Sequence, residues 1–450
     1  MKKNTPRMLL AAIGVVATAS LVVSCSPSDQ GAEEDTGSTT SESAGDAGTT
    51  DEDQAAGGDA VSITIAMMNG GKPGLDAVIA AFEEANPSIN IEASYYESGD
   101  SFNSAVITQF ASGNGTDIVY VIGGQAAPVS VRPFAEAGYL MDLSDQPWVA
   151  GMYEGTKDLY TVDGKVLGYE VGLSPLALLN YNRDIFAELG VEVPQTFDEL
   201  LGVCGTISEN SDVVPISFAA GLPAVDANNT AVIAGNTVTS LDPDWLDKRY
   251  ADEVTFVGDP GWTRALEQIV EMIDGGCFSA GTAALQMPEM ISEFANAEAA
   301  MMFTYGGQNG RVKAESPDLN IGMFPFPADA KEDTRLTPQS AGGMGIWTGS
   351  THQEEAKQFL EYLASPESSD TYSDLNYLLS GQQAATAEMP ESYKDLTTVF
   401  EEGLIVPDQV ALWPSPSMRD IVGASIQGLF TNQKTVEEVL QDFDNAWEES

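Results

Sequence analysis

The chain is poor in the residues on which much protein chemistry depends. It holds a single histidine, His352, among 450 residues. A Ser-His-Asp triad could use only that residue, and a metal centre built on two imidazoles is excluded. The three cysteines, Cys25, Cys204 and Cys277, are too few for a disulfide scaffold. Bases are scarce as well: 19 Lys and Arg face 68 Asp and Glu, a formal net charge of −49. Phosphate backbones and anionic headgroups repel such a chain, so nucleic acid is excluded as a partner. Apolar runs are short, and the longest, residues 8–23, falls below the roughly 20 residues that a membrane-spanning helix needs. Apolar residues still make up 43% of the chain, enough to bury a core over two or three lobes.

That apolar run follows Lys2, Lys3 and Arg7 and reads as a signal peptide over residues 1–24. It ends in Val22-Val23-Ser24-Cys25, which resembles a lipobox, and this makes Cys25 the expected lipidated residue of the cleaved protein. Two or more acyl chains there would hold the protein stably at the membrane. Residues 25–60 are Ser, Thr, Gly, Ala, Asp and Glu almost throughout and cannot pack a core, so they read as a disordered acidic tether.

Beyond residue 60 the pattern alternates between strands and helices. Residues 61–67 alternate as VSITIAM, a strand. Leu75, Val78, Ile79 and Phe82 then recur at helical spacing up to Asn86-Pro87, where the residue before proline leaves the helical region. Residues 89 and 91 open a second strand, Phe102 to Phe110 a second helix, and Asp117 to Ile122 is a continuous apolar strand of the kind buried in parallel sheets. From about Val171 the alternation restarts, with a helix after Thr196, which stands at capping-box spacing from Glu199. Further helices are expected at 263–273, 287–297, 353–363, 393–402, 418–430 and 436–447. Repeated strand–helix–strand units predict an α/β fold.

Several segments then carry a resemblance. Asn86-Pro87-Ser88-Ile89, Gly115-Thr116-Asp117-Ile118-Val119, Asp163-Gly164-Lys165-Val166-Leu167-Gly168-Tyr169, Asn180-Tyr181-Asn182-Arg183-Asp184 and Thr196-Phe197-Asp198-Glu199-Leu200 recur in order, followed by Ala299-Ala300-Met301 and Glu355 to Leu363 with Ser365-Pro366-Glu367. Over residues 61–447 the chain resembles the extracellular solute-binding proteins of ATP-binding-cassette importers, in the sugar- and oligosaccharide-binding group of the maltose-binding protein family. The resemblance implies a two-lobed periplasmic-binding-protein-like fold with a hinge and an interlobe ligand cleft. One lobe would comprise residues 61–168 and 304–349, the other 169–303 and 350–450. It implies a non-enzymatic, monomeric receptor that captures a carbohydrate, delivers it to permease subunits, and needs no cofactor or metal. The family's Trp after the Ala-Met strand is absent, and Tyr305 either takes its stacking role or leaves that place without one.

A sugar site needs aromatic faces for C–H surfaces and polar side chains for hydroxyls. Trp413, in the proline-stiffened Ala411-Leu412-Trp413-Pro414, and Tyr305 with Gly306 are the aromatic candidates, with core or hinge packing as the alternative. Asn69 and Gly70, and Gly124 and Gln125, follow strands at their carboxyl ends, where open α/β sheets bind ligands, although plain turns explain them too. Glu170 and Ser174 lie at the first crossing between lobes, with a hinge role as the alternative to ligand binding. Gly343 allows a close backbone approach or merely a turn. Cys204 and Cys277 are expected to pair as a disulfide in an exported protein, free buried thiols being the alternative. Asp242, Asp244 and Asp247 lack the glycine and distal Glu of a calcium loop, so no metal site is expected. Two rival functions remain open at this point. One is the same fold binding a polyamine or other cation, which the acidity suits. The other is an exported glycoside hydrolase, for which no local motif supplies an acid or nucleophile.

Overall fold

The computed structural model describes residues 60–450 except Ser98 and Ala177. The signal peptide, Cys25 and the tether up to residue 59 lie outside the described residues. Among the described residues no helix is long and apolar enough to cross a membrane.

The fold is built on two sheets. In the first, the strands run in the order Ile89–Tyr96, Val61–Met68, Ile118–Val121, Gly343–Ile346, Tyr169–Glu170. The first three are parallel, and Gly343–Ile346 is antiparallel to both its neighbours. Helix Lys72–Ala85 lays Leu75, Val78, Ile79 and Phe82 on this sheet, and helix Gly99–Ala111 does the same with Phe102, Val106 and Phe110. Both stripes follow the i, i+3, i+4 spacing of the sequence.

The second sheet runs Ile321–Pro325, Leu178–Asn182, Ala299–Thr304, Val214–Ser217. Its core is aromatic: Trp245, Trp262, Phe256 and Phe443 meet with ring centroids 4.9–5.9 Å apart. Local chemistry sets the helix starts on this side. The Asn182 side chain accepts from Asp184 N at 3.0 Å, and Thr196 Oγ1 from Glu199 N at 3.3 Å. Glu199 returns its carboxylate to Gln195 N rather than to Thr196, so only half of the expected box forms. Cys204 and Cys277 are joined by a disulfide, their Cα atoms 5.0 Å apart.

An antiparallel ribbon of Leu173–Leu176 and Thr337–Ser340 lies apart from both sheets. A small core of Leu173, Leu178, Met323, Leu336, Tyr393 and Leu396 packs around it.

The chain is shared between the lobes differently from the expected division. Strand Ile321–Pro325 pairs with Leu178–Asn182 and so belongs to the second sheet, while only Gly343–Ile346 returns to the first. Helix Gln353–Leu363 packs on the first lobe, where Phe359 meets Phe82 edge to face at 5.3 Å, and Tyr372 of the next helix joins the same core. An amphipathic stripe shows that a helix must cover a sheet but not which one.

Candidate functional site

The carboxyl ends of parallel strands Val61–Met68 and Ile118–Val121 open on the same edge of the first sheet. The loop after Ile118–Val121 crosses to the second lobe. Gly124 has a left-handed φ of 78°, and a Cβ there would lie 2.2 Å from the Ala411 carbonyl oxygen, so glycine is required twice over. Gln125 N donates to Ala411 O at 2.9 Å, and its Nε2 donates to Leu412 O at 3.1 Å and to the Tyr250 hydroxyl at 2.8 Å. Tyr250 in turn donates to Leu412 O at 2.6 Å.

Beside this contact lies a cavity of about 40 Å³. The first lobe lines it with Ile122, Ala127 and Leu159, the hinge ribbon with Gln339 and Ser340, and the second lobe with Asn228, Asp408 and Arg419. Asp408 is buried and well organised: Oδ1 accepts from Val410 N at 3.0 Å and Oδ2 from Gln339 Nε2 at 3.1 Å. Burial pushes its carboxyl up, against those hydrogen bonds and the Arg419 charge. Asn228 Oδ1 and Arg419 Nε are buried without a hydrogen-bond partner. One is an acceptor and the other a donor, the complement of a hydroxyl group, which can donate to the first and accept from the second.

The residues singled out from the sequence are distributed unevenly around this site. Gly124 and Gln125 stand at the interlobe contact itself. Asn69 opens a short turn on the same sheet edge and bonds Glu97 at 3.1 Å, and Gly70 beside it is exposed; neither lines the cavity. Ser174 Oγ accepts from Gly307 N at 3.1 Å in the hinge. Tyr305 is half-buried against the second-lobe core, and a Cβ on Gly306 would lie 2.6 Å from the Tyr393 hydroxyl. Gly343 makes room for a ring rather than a ligand: a Cβ there would lie 2.4 Å from Tyr160 Cε1. The hydroxyl of that ring bonds Ser340 on the cavity wall.

One expectation needs correction. Trp413 is only 1% exposed and belongs to the core of the second lobe, so in this conformation it has no face free for stacking. The rigid loop delivers the backbone of Ala411 and Leu412 to the cleft and turns the indole inward. Glu170 is buried too, with Oε2 accepting from Thr156 Oγ1 at 2.7 Å, and it lines a separate cavity in the first lobe.

Asn228, Gln339, Asp408 and Arg419 escaped the sequence reading. Asn228 sits on helix Pro223–Ala234, which is buried on nearly every side and mixes Asp226, Asn229 and Thr230 with alanine and valine. No apolar stripe announces such a helix. Among the described residues no cluster of His, Cys, Asp or Glu could hold a metal, and Asp242 is instead paired with Lys248 at 2.6 Å.

The sequence matches the bacterial extracellular solute-binding protein family over residues 69–370. The melibiose/raffinose/stachyose-binding protein of Bacillus subtilis is 24% identical over 313 residues, 67% of this chain and 71% of that one. The multiple sugar-binding protein of Streptococcus mutans is 21% identical over 67% of this chain and 70% of its own. A solved solute-binding protein in complex with raffinose superposes with a TM-score of 0.69 at 19% identity, covering 86% of this chain and 99% of that one. Two α/β lobes, a hinge ribbon between them, a polar cavity where they meet and the family match over most of the folded part agree: the chain belongs to the bacterial extracellular solute-binding proteins.

Proposed function

We propose that the protein is a carbohydrate receptor of an ATP-binding-cassette importer. Its lobes close on one or more sugar rings, and permease subunits receive the closed form. The observation that carries this reading is the polar cavity at the interlobe contact, where Asn228 offers an unpaired acceptor and Arg419 an unpaired donor beside Asp408 and Gln339. Such a set suits vicinal hydroxyls. Asp408, the one acid on the cavity wall among the described residues, is offset by Arg419, which gives a cationic solute no advantage there. The sugar specificities carried in the relatives' names point the same way. The protein acts as a monomer without turning its solute over. Acyl chains on Cys25 hold it to the outer face of the membrane, and the acidic segment 26–60 spaces it from the surface.

Calorimetric titration of the mature chain with melibiose, raffinose and stachyose tests the proposal, with spermidine as a control. A saturable sugar heat is expected, weakened roughly tenfold or more in Asn228→Ala and in Arg419→Met. Binding of spermidine alone would overturn the substrate class, and release of monosaccharide from any bound sugar would overturn the non-enzymatic reading. Loss of palmitate labelling in Cys25→Ala is the expected sign of the anchor.

A further inference from the structure

On the first lobe lies a larger cavity of about 190 Å³, whose lining shares no residue with the cleft cavity. Its floor is buried and carries Trp148, Tyr169 and Glu170, while Gly151 and Gln382 on its rim are exposed and Tyr153 stands between. The Trp148 and Tyr169 rings meet edge to face with centroids 5.2 Å apart, and Tyr169 is held by its hydroxyl, which donates to Ser369 Oγ at 3.1 Å. Glu170 is 6% exposed. Thr156 donates to its Oε2, while Oε1 makes no hydrogen bond, and the Ser340 hydroxyl, itself bonded to Tyr160, lies close enough to favour the ionised carboxylate. Trp148 Nε1, on the same wall, is a buried donor without an acceptor.

Among the described residues no Lys or Arg lines this cavity. A carboxylate taken out of water without a counter-charge is costly, and folded proteins pair such groups or place a cation beside them. Burial accordingly pushes Glu170 up to about 7, against the Thr156 and Ser340 hydroxyls. The surroundings also restrict the kind of cation. A calcium ion takes six to eight oxygen ligands and magnesium a near-ideal octahedron, whereas this wall sets a single carboxylate beside the rings of Trp148, Tyr153 and Tyr169. Aromatic faces beside one carboxylate attract organic ammonium groups, and the chain's net charge of −49 concentrates cations around it.

We propose that this cavity is a second ligand site, distinct from the sugar cleft, for a small organic ammonium ion that also bears a hydroxyl or carbonyl oxygen. The ammonium N–H donates to Glu170 Oε1, its charge lies among Trp148, Tyr153 and Tyr169, and the oxygen accepts from Trp148 Nε1. The site does not depend on the identity of the transported solute.

The test is calorimetric titration of the mature chain with ethanolamine hydrochloride above neutral pH, where Glu170 is ionised. Tetramethylammonium chloride and sodium chloride at matched ionic strength are the comparison arms. Saturable ethanolammonium binding is expected, with tetramethylammonium weaker because it has no N–H to donate and sodium giving no saturable heat. Glu170→Gln lowers the ethanolammonium affinity roughly tenfold or more, the loss of a hydrogen bond to a charged group. Trp148→Phe, which keeps the ring volume but removes the donor, weakens it several-fold. Unchanged circular dichroism and cooperative melting establish that both variants are folded. Undiminished affinity in Glu170→Gln, equal binding of sodium, or no saturable ethanolammonium heat would each overturn the proposal.

Discussion

Gln125 Nε2 donates to the hydroxyl of Tyr250 at 2.8 Å, a bond between a loop of the first lobe and a helix end of the second. With the bonds from Gln125 to Ala411 and Leu412 it ties the two lobes to each other in this structure. Each such bond contributes about 1 kcal/mol to the closed state. Gln125→Ala is therefore expected to release bound sugar several-fold faster with little change in association rate, as read by stopped-flow tryptophan fluorescence. Equal dissociation rates would show that these bonds do not hold the closed form. Gly124→Ala should act in the same direction through its clash with Ala411 O.

Trp413 lies in the second-lobe core, so its truncation should be felt by the fold itself. Trp413→Ala is expected to cost about 3–5 kcal/mol of stability through the cavity it leaves. Urea unfolding without sugar reads this directly. A variant of unchanged stability that had lost only its sugar affinity would restore the stacking role expected from the sequence.

Glu170 makes stability depend on pH. Its carboxyl is raised from 4.5 to about 7 on folding by burial, so across that interval the folded state holds a proton that the unfolded state has released. Stability from this group is therefore greatest below about 4.5 and falls as the pH rises through about 7. The loss amounts to about 3 kcal/mol at most. Glu170→Gln should remove that slope and stabilise the protein on the alkaline side. Parallel slopes in the variant and the unaltered protein, measured by urea unfolding across that range, would show that Glu170 does not titrate this way.

The Cys204–Cys277 disulfide closes a loop over a sequence separation of 73 residues and lies in the core of the second lobe. Replacing both cysteines with alanine is expected to lower stability by about 2–5 kcal/mol. Chemical denaturation with and without reductant reads the effect, and coincident curves would mean that the bond contributes nothing to the folded state.

Much of the fold was legible because its signals are local. The stripe Leu75, Val78, Ile79, Phe82 and the apolar run before Gly123 specify a helix and a buried strand without reference to any other part of the chain. The helix stop at Asn86-Pro87 and the cap at Thr196 act within a few residues. Helix Pro223–Ala234 gave no such signal, because a helix enclosed on most sides has no polar face to set its period. The placement of Ile321–Pro325 in the second sheet was equally hidden, since it depends on pairing with a strand about 140 residues earlier in the chain.

The same distinction divides the site. That Gly124 and Gln125 lie in a loop at the carboxyl end of a strand could be read locally, since the edge at which α/β sheets bind follows from strand direction. Nothing local joins Asn228, Gln339, Asp408 and Arg419, which come from four segments and meet only when the second lobe folds against the hinge. Nor does sequence distinguish an indole that faces a cleft from one that fills a core, as Trp413 does. By itself the sequence determined the α/β class, the exclusion of a metal centre built on two imidazoles and the helices and strands with a clear period, all of which follow from composition and short-range periodicity. The tertiary structure alone decided which sheet each returning segment joins and which polar groups converge on the cleft, because long-range packing settles both.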